Sequence, residues 1–283
     1  MPLRPILLAG SAFLAAVHAF GVLAGAPVLP WAAVAAFGLL VIHAGAEPRN
    51  RPLLAALAVL TVHALMTMPE KVNLSGQYFW TATSATGHEP DLIDEIAWRD
   101  YREAGLMLLV VTLLLVASLG GGAVPTRGAL LGGGAAMVIV VGYPVVRIAD
   151  TANRIAAEAA LGRTDQSPWS TGAALSVLAA VPVAAGLVAV LGAVVGVRRP
   201  WVVAGAVLLV LGAVLRIDYG LRSVLLPYQV AIHNPFAAWD GLTSSAVVPG
   251  LVAGLRTGLE FAGIILIAAG LSHRAAGGRV GQG

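Results

Sequence analysis

Several ionisable side chains are set inside long apolar runs of this chain. Each costs on the order of 2.5–3.5 kcal/mol to place at the centre of a membrane helix, so such residues are rare and usually functional. Arg256 and Glu260 stand four apart in the last apolar run, which puts them on one face of a helix, near the middle of that run. Glu260 can hold and release a proton, and Arg256 can meet an anionic group on a substrate. The plainer alternative is an internal salt bridge that lets both residues insert and joins neighbouring helices.

A second set lies toward the end of the preceding apolar run, where Arg216, Asp218 and Arg222 follow one another. Asp218 and Arg222 can face each other across one turn, whereas Arg216 points elsewhere and needs a partner from another element, with Asp150 and Glu260 as the choices by depth. Snorkelling toward the headgroups is the competing explanation for these arginines. Taken as a site, the carboxyl groups of Glu260, Asp218 and Asp150 are the acid–base candidates. Arg256, Arg216 and Arg222 are the anion-binding ones.

Histidines form a third group. His18 and His63 fall about two-thirds of the way along their apolar runs toward the same side, and His43 falls near the opposite side. His63 precedes Met66 and Met68, a ligand set that suits copper, and two histidines at matching depth could hold a haem iron. A lone histidine in such a run is more often a hydrogen-bonded packing residue. No HExxH or other close histidine spacing strengthens the metal reading, and the cofactor is left unassigned. His88 beside Glu89 and Asp91, and His233 near Asp240, could supply acid–base groups at a cavity mouth, though exposed loops commonly carry such residues. Lys71, the single lysine, reads as an interfacial anchor.

The elements that must position these residues follow from composition. Of 283 residues, 58% are hydrophobic and 11% charged, with mean hydropathy +0.87. A soluble domain normally carries about 25% charged residues, so this chain cannot cover a water-facing surface. The expected fold is an all-α, polytopic membrane bundle. Its eight spans fall at about 5–25, 29–46, 53–69, 105–120, 128–148, 171–196, 201–222 and 247–271, each near the length that crosses roughly 30 Å of hydrocarbon. Turn-forming breaks separate them, such as Gly25-Ala26-Pro27, Glu47 to Pro52, Gly120 to Gly122, and Arg198-Arg199-Pro200. One domain holds the whole chain. Arg51-Pro52 and Arg199-Pro200 each start a span that leads to a long loop, a faint mark of a four-plus-four repeat.

Orientation comes from the arginines. Arg4, Arg49, Arg51, Arg127, Arg198, Arg199, Arg274 and Arg279 fall in short connections on one side, with Glu47 as the acid there. Short basic connections stay cytoplasmic, so both termini are expected inside, in a multi-pass protein of the cell membrane. The first run also resembles a signal peptide, with a basic start and small residues near its end, but it is long and interrupted by His18. The outer connections, roughly 69–104, 149–170 and 223–246, are long and aromatic, and are expected to be ordered. Trp80 and Trp239 are the aromatic residues assigned to substrate there; an aromatic belt at the headgroups is the other explanation. Residues 91–101 have the spacing of an amphipathic helix lying on the outer surface. Arg147, Asp150, Arg154 and Glu158 form a charge ladder that continues the fifth span past the membrane. Gly128, Gly132, Gly133 and Gly134 would give that span a smooth face for close approach. Pro144 should kink it near its outer end.

Several classes are unsupported. The arginines are scattered rather than clustered, so nucleic acid is not an expected partner. Cysteines are absent, which removes disulfides, iron–sulfur ligation and thiolate zinc sites. No phosphate loop, dinucleotide fingerprint or nucleophile elbow occurs. The expected site is a polar cavity in the outer half of the bundle, met by membrane lipid and a small-molecule ligand. The first expectation is a membrane-embedded enzyme acting on a lipophilic or amphiphilic molecule. A transporter is the second, and the third is an anchor subunit of a redox complex with partner subunits and haem or copper at His18 and His63.

Overall fold

The computed structural model describes residues 3–24, 30–46, 50–73, 102, 105–118, 200–222 and 247–272, with scattered positions between 127 and 161. In 67–73, 216–222 and 247–250 the backbone alone is described. Six helices and no strand occur among these residues. We number them α1 (Leu3–Ala24), α2 (Pro30–Gly45), α3 (Arg51–Asn73), α4 (Gly105–Ser118), α5 (Pro200–Arg222) and α6 (Val247–Ser272). Two helical segments, Leu3–Ala24 and Leu251–Ser272, are long and apolar enough to cross a membrane.

Each helix matches an apolar run to within a few residues, and the punctuation acts as its chemistry dictates. Asn50 caps α3: its side-chain oxygen accepts a hydrogen bond from the Leu53 backbone N–H at 3.3 Å, and its carbonyl from that of Leu54 at 3.1 Å. Pro200 opens α5, where its missing N–H costs nothing. Helix α3 differs from expectation at its end. It runs on through Pro69 to Asn73, four residues beyond the anticipated boundary, so the following connection is shorter than the sequence implied. Proline deletes one ladder bond, which a helix already wound through the preceding turns survives.

The connections 74–101 and 223–246 lie outside the described residues, and with them the surface helix expected at 91–101. The span at 171–196 lies outside as well. Positions along the fifth run, from Arg127 to Ala160, are helical where described, and Leu161 closes the segment with a backbone bond to Ala157 at 3.2 Å. The charged ladder, Gly132, Gly133 and Pro144 are not among those positions.

Packing is antiparallel between α1 and α2, α2 and α3, α1 and α6, and α5 and α6, whereas α2 and α6, which meet through Phe37 and Phe261, run parallel. On α1 and α2, Arg4 donates to the Ala46 carbonyl at 3.4 Å, while Ser11 donates to the Ala36 carbonyl at 3.0 Å. Gly45 faces Leu54 across α2 and α3. Helix α6 lies between two others: Gly254 and Gly258 meet Ala19 and Leu23 of α1, while Gly263 and Gly270 meet Gly205 and Val202 of α5. The start of α1, the end of α2, the starts of α3 and α5 and the end of α6 therefore share one end of the bundle.

The core is mainly aliphatic, built from residues such as Ala36, Leu40, Leu57, Leu114, Val202 and Ile267, with Phe37 and Phe261 as its aromatic members. Apart from Ser11, the helix hydroxyls whose bonds are described are satisfied locally. Thr61, Thr112, Ser118, Thr257 and Ser272 each donate to the carbonyl four residues back. The outward faces are apolar too. Leu3, Ile6, Phe13 and Phe20 form one exposed stripe on α1, and Trp31 and Trp201 stand exposed at the starts of α2 and α5.

Of the glycine run of the fifth span, Gly128 and Gly134 are described and Gly132 and Gly133 are not. A side chain at Gly128 or Gly134 would meet nothing within 4 Å. The tight seam is between α5 and α6, where a methyl group on Gly205 would come 2.5 Å from the Gly263 carbonyl oxygen, and one on Gly263 would come 2.7 Å from that of Gly205.

Candidate functional site

Helix α6 carries the charged pair. Arg256 Nε lies 3.9 Å from Glu260 Oε1, one turn apart, and both side chains are about a quarter exposed, at 26% and 28%. With a rise of 1.5 Å per residue, the two α-carbons lie ~14 and ~20 Å along a helix of ~39 Å. The pair thus occupies the middle third of its helix, and the spacing does what the sequence implied.

The face on which it sits follows from glycine. Position 212 of α5 lies against this turn: a methyl group there would be 3.1 Å from Glu260 Cγ, 3.7 Å from the Arg256 carbonyl oxygen and 3.8 Å from the Glu260 backbone nitrogen. The pair therefore belongs to the α5 side of α6. Positions 205, 209, 212 and 216 recur at three and four residue steps, so position 216 continues the α5 stripe one turn beyond Gly212. Positions 218 and 222 fall on other faces of α5. The side chains of Arg216, Asp218 and Arg222 lie outside the described ones, as do Asp150, Trp80, Trp239, His88 and His233 altogether.

On the other side of α6 stands His18. Its ring is buried and meets Phe261 edge-to-face, with centroids 5.5 Å apart and planes at 61°. Phe37 of α2 stacks on the same phenyl at 4.5 Å and 19°. His18 thus joins an aromatic cluster formed by α1, α2 and α6, while Arg256 and Glu260 meet α5. The structure thus sets His18 and the charged pair on different sides of α6. His63 is half-buried on α3, and His43 is buried in the last turn of α2. Among the described residues no group of three or more His, Asp or Glu side chains is arranged to hold a metal ion.

Two residues that contact the candidate site residues, Gly212 and Phe261, and one that joins α1 to α2, Ser11, were missed in the sequence. A glycine or phenylalanine within an apolar run carries no mark of its neighbour on another helix. Ser11 had a usable signal, being a polar residue seven before His18 on the same helical face.

Compared with known proteins, the chain matches no family model, no curated protein and no solved structure. Its functional reading rests on its own geometry.

Proposed function

We propose that this chain is a multi-pass membrane protein with a polar intramembrane site on the α5 face of α6. Arg256 meets an anionic group there, and Glu260 exchanges a proton. The observation carrying this is the placement of a contacting, partly accessible Arg–Glu pair in the middle third of an otherwise apolar helix. Hydrocarbon is a poor neighbour for such a pair, whereas a polar cavity or bound headgroup is a good one.

The apolar outward faces support a lipid environment, since contiguous exposed apolar stripes are rare on soluble monomers. The antiparallel order supports eight spans with both termini inside. Helices α3 and α5 start at the same end, so an odd number of crossings must join them, and the runs at 105–120, 128–148 and 171–196 supply three.

The activity proposed for this site is that of a membrane-embedded enzyme acting on a lipophilic or amphiphilic small molecule. One observation favours a transporter as the second reading: the charged helix meets α1 and α5 through glycines on two opposite faces, a surface over which it could shift. Native mass spectrometry of the detergent-solubilised protein, incubated with anionic amphiphiles, tests the site. The wild type is expected to retain a ligand that Glu260→Gln and Arg256→Gln release. Equal retention by all three would overturn the assignment. Conversion of the retained molecule in detergent identifies the enzyme, and flux into sealed vesicles the transporter. A Soret band or stoichiometric copper in the same preparation would instead bring forward the redox reading at His18 and His63.

A further inference from the structure

The glycines of the α5–α6 seam are not equivalent. Gly205 and Gly263 face each other's backbone, and Gly270 faces Val202 and Trp201. These three let the helices approach. Gly212 differs, because all three of its nearest neighbours belong to the turn bearing Arg256 and Glu260, and the nearest is the Glu260 side chain. Adding a methyl group here leaves the backbones in place and asks one flexible side chain to withdraw by a few tenths of an ångström.

That withdrawal matters because the ion pair is long. At 3.9 Å between Nε and Oε1, the carboxylate stands near the outer limit of a direct contact. The stem from which it reaches toward Arg256 is seated in the notch left by the missing Gly212 side chain. We propose that Gly212 is a positioning residue, whose lack of a side chain seats the Glu260 stem against α5 and so sets the approach of its carboxylate to Arg256. This rests on the reading of Arg256 and Glu260 as the site, and adds to it a residue on another helix that determines its geometry.

Infrared difference spectroscopy on the whole detergent-solubilised chain reads Glu260 directly. The carboxyl band that disappears in Glu260→Gln belongs to that residue. Gly212→Ala is expected to shift this band. Gly258→Ala is expected to leave it unmoved, since its methyl group points to α1 and meets Ala19 Cβ at an ordinary 3.8 Å. A purely structural role for Gly212 would leave the band in place. Stability provides the second measurement: any loss of thermal stability caused by Gly212→Ala should vanish when Glu260 is already alanine, because the obstructing stem has gone. If Gly212→Ala alone cannot be purified, the double variant should still be recovered as well as Glu260→Ala.

An unmoved band in Gly212→Ala, an equal shift in Gly258→Ala, or the same stability loss in both backgrounds would overturn the positioning role. Those results leave the site itself standing. Conversely, a Glu260→Gln protein that keeps its ligand removes the site reading and leaves the band shift intact.

Discussion

Phe261 bears more contacts than its place in an apolar run implies. Its phenyl ring meets His18 of α1 edge-to-face and stacks with Phe37 of α2, so one side chain of α6 ties three helices together. Aromatic pairs of this kind contribute about 0.5–1.5 kcal/mol beyond the area they bury. Phe261→Ala removes two such contacts and opens a cavity where the side chain is 6% exposed. Truncations of this size cost about 3–5 kcal/mol in water-soluble cores, and the lower end applies if the unfolded helix still sits in lipid. The expected outcome is a loss of about 3 kcal/mol, read by denaturant titration in detergent. Phe37→Ala, which ends only the stacking contact, should cost less. The opposite order would mean that Phe261 is not the hub of the cluster.

At the scale of the element, α6 is held by opposed glycine contacts, and the sign of a glycine substitution depends on what faces it. Replacing glycine by alanine within a helix gains about 1 kcal/mol from propensity alone. At Gly205 the new methyl group would stand 2.5 Å from a backbone oxygen, which cannot turn aside. Overpacking costs about 1–3 kcal/mol, and a backbone obstacle puts this case at the upper end, for a net loss of about 1–2 kcal/mol. Gly258→Ala meets only ordinary contact and should be neutral or more stable by up to about 1 kcal/mol. Thermal unfolding of the two variants side by side separates these outcomes. Equal effects would show that the seam yields more freely than its distances imply.

For the molecule as a whole, orientation is the decisive property, and the absence of cysteine gives a clean background for it. Single cysteines introduced at Ser272 and at Asn73 should be labelled from opposite sides of sealed vesicles by an impermeant maleimide. Position 272 closes α6 at the end where α1 begins, while position 73 closes α3 at the other end. Labelling from the same side would overturn the bundle order and, with it, the eight-span reading.

Much of the helical framework was legible because its signals are local. Asn50 with Arg51 and Pro52 marks a helix start from its own functional groups, and Arg256 with Glu260 finds its register from four residues of spacing. Apolar runs locate α1, α2, α5 and α6 within a few residues, since a helix closes its hydrogen bonds within its own segment. The end of α3 was misplaced because proline lowers helix stability without forbidding continuation. What each helix faces was beyond such reasoning. The glycine run at 128–134 carried a visible signal for close approach, whereas Gly205 and Gly263, which touch, carried none. Nor could spacing along each run say that His18 and Glu260 meet different sides of α6, which rotation about its axis decides. The sequence by itself determined which segments wind into helices and where the charged pair falls along one of them. Only the tertiary structure decided the pairing and azimuth of those helices, because both depend on side chains far apart in the chain filling each other's space.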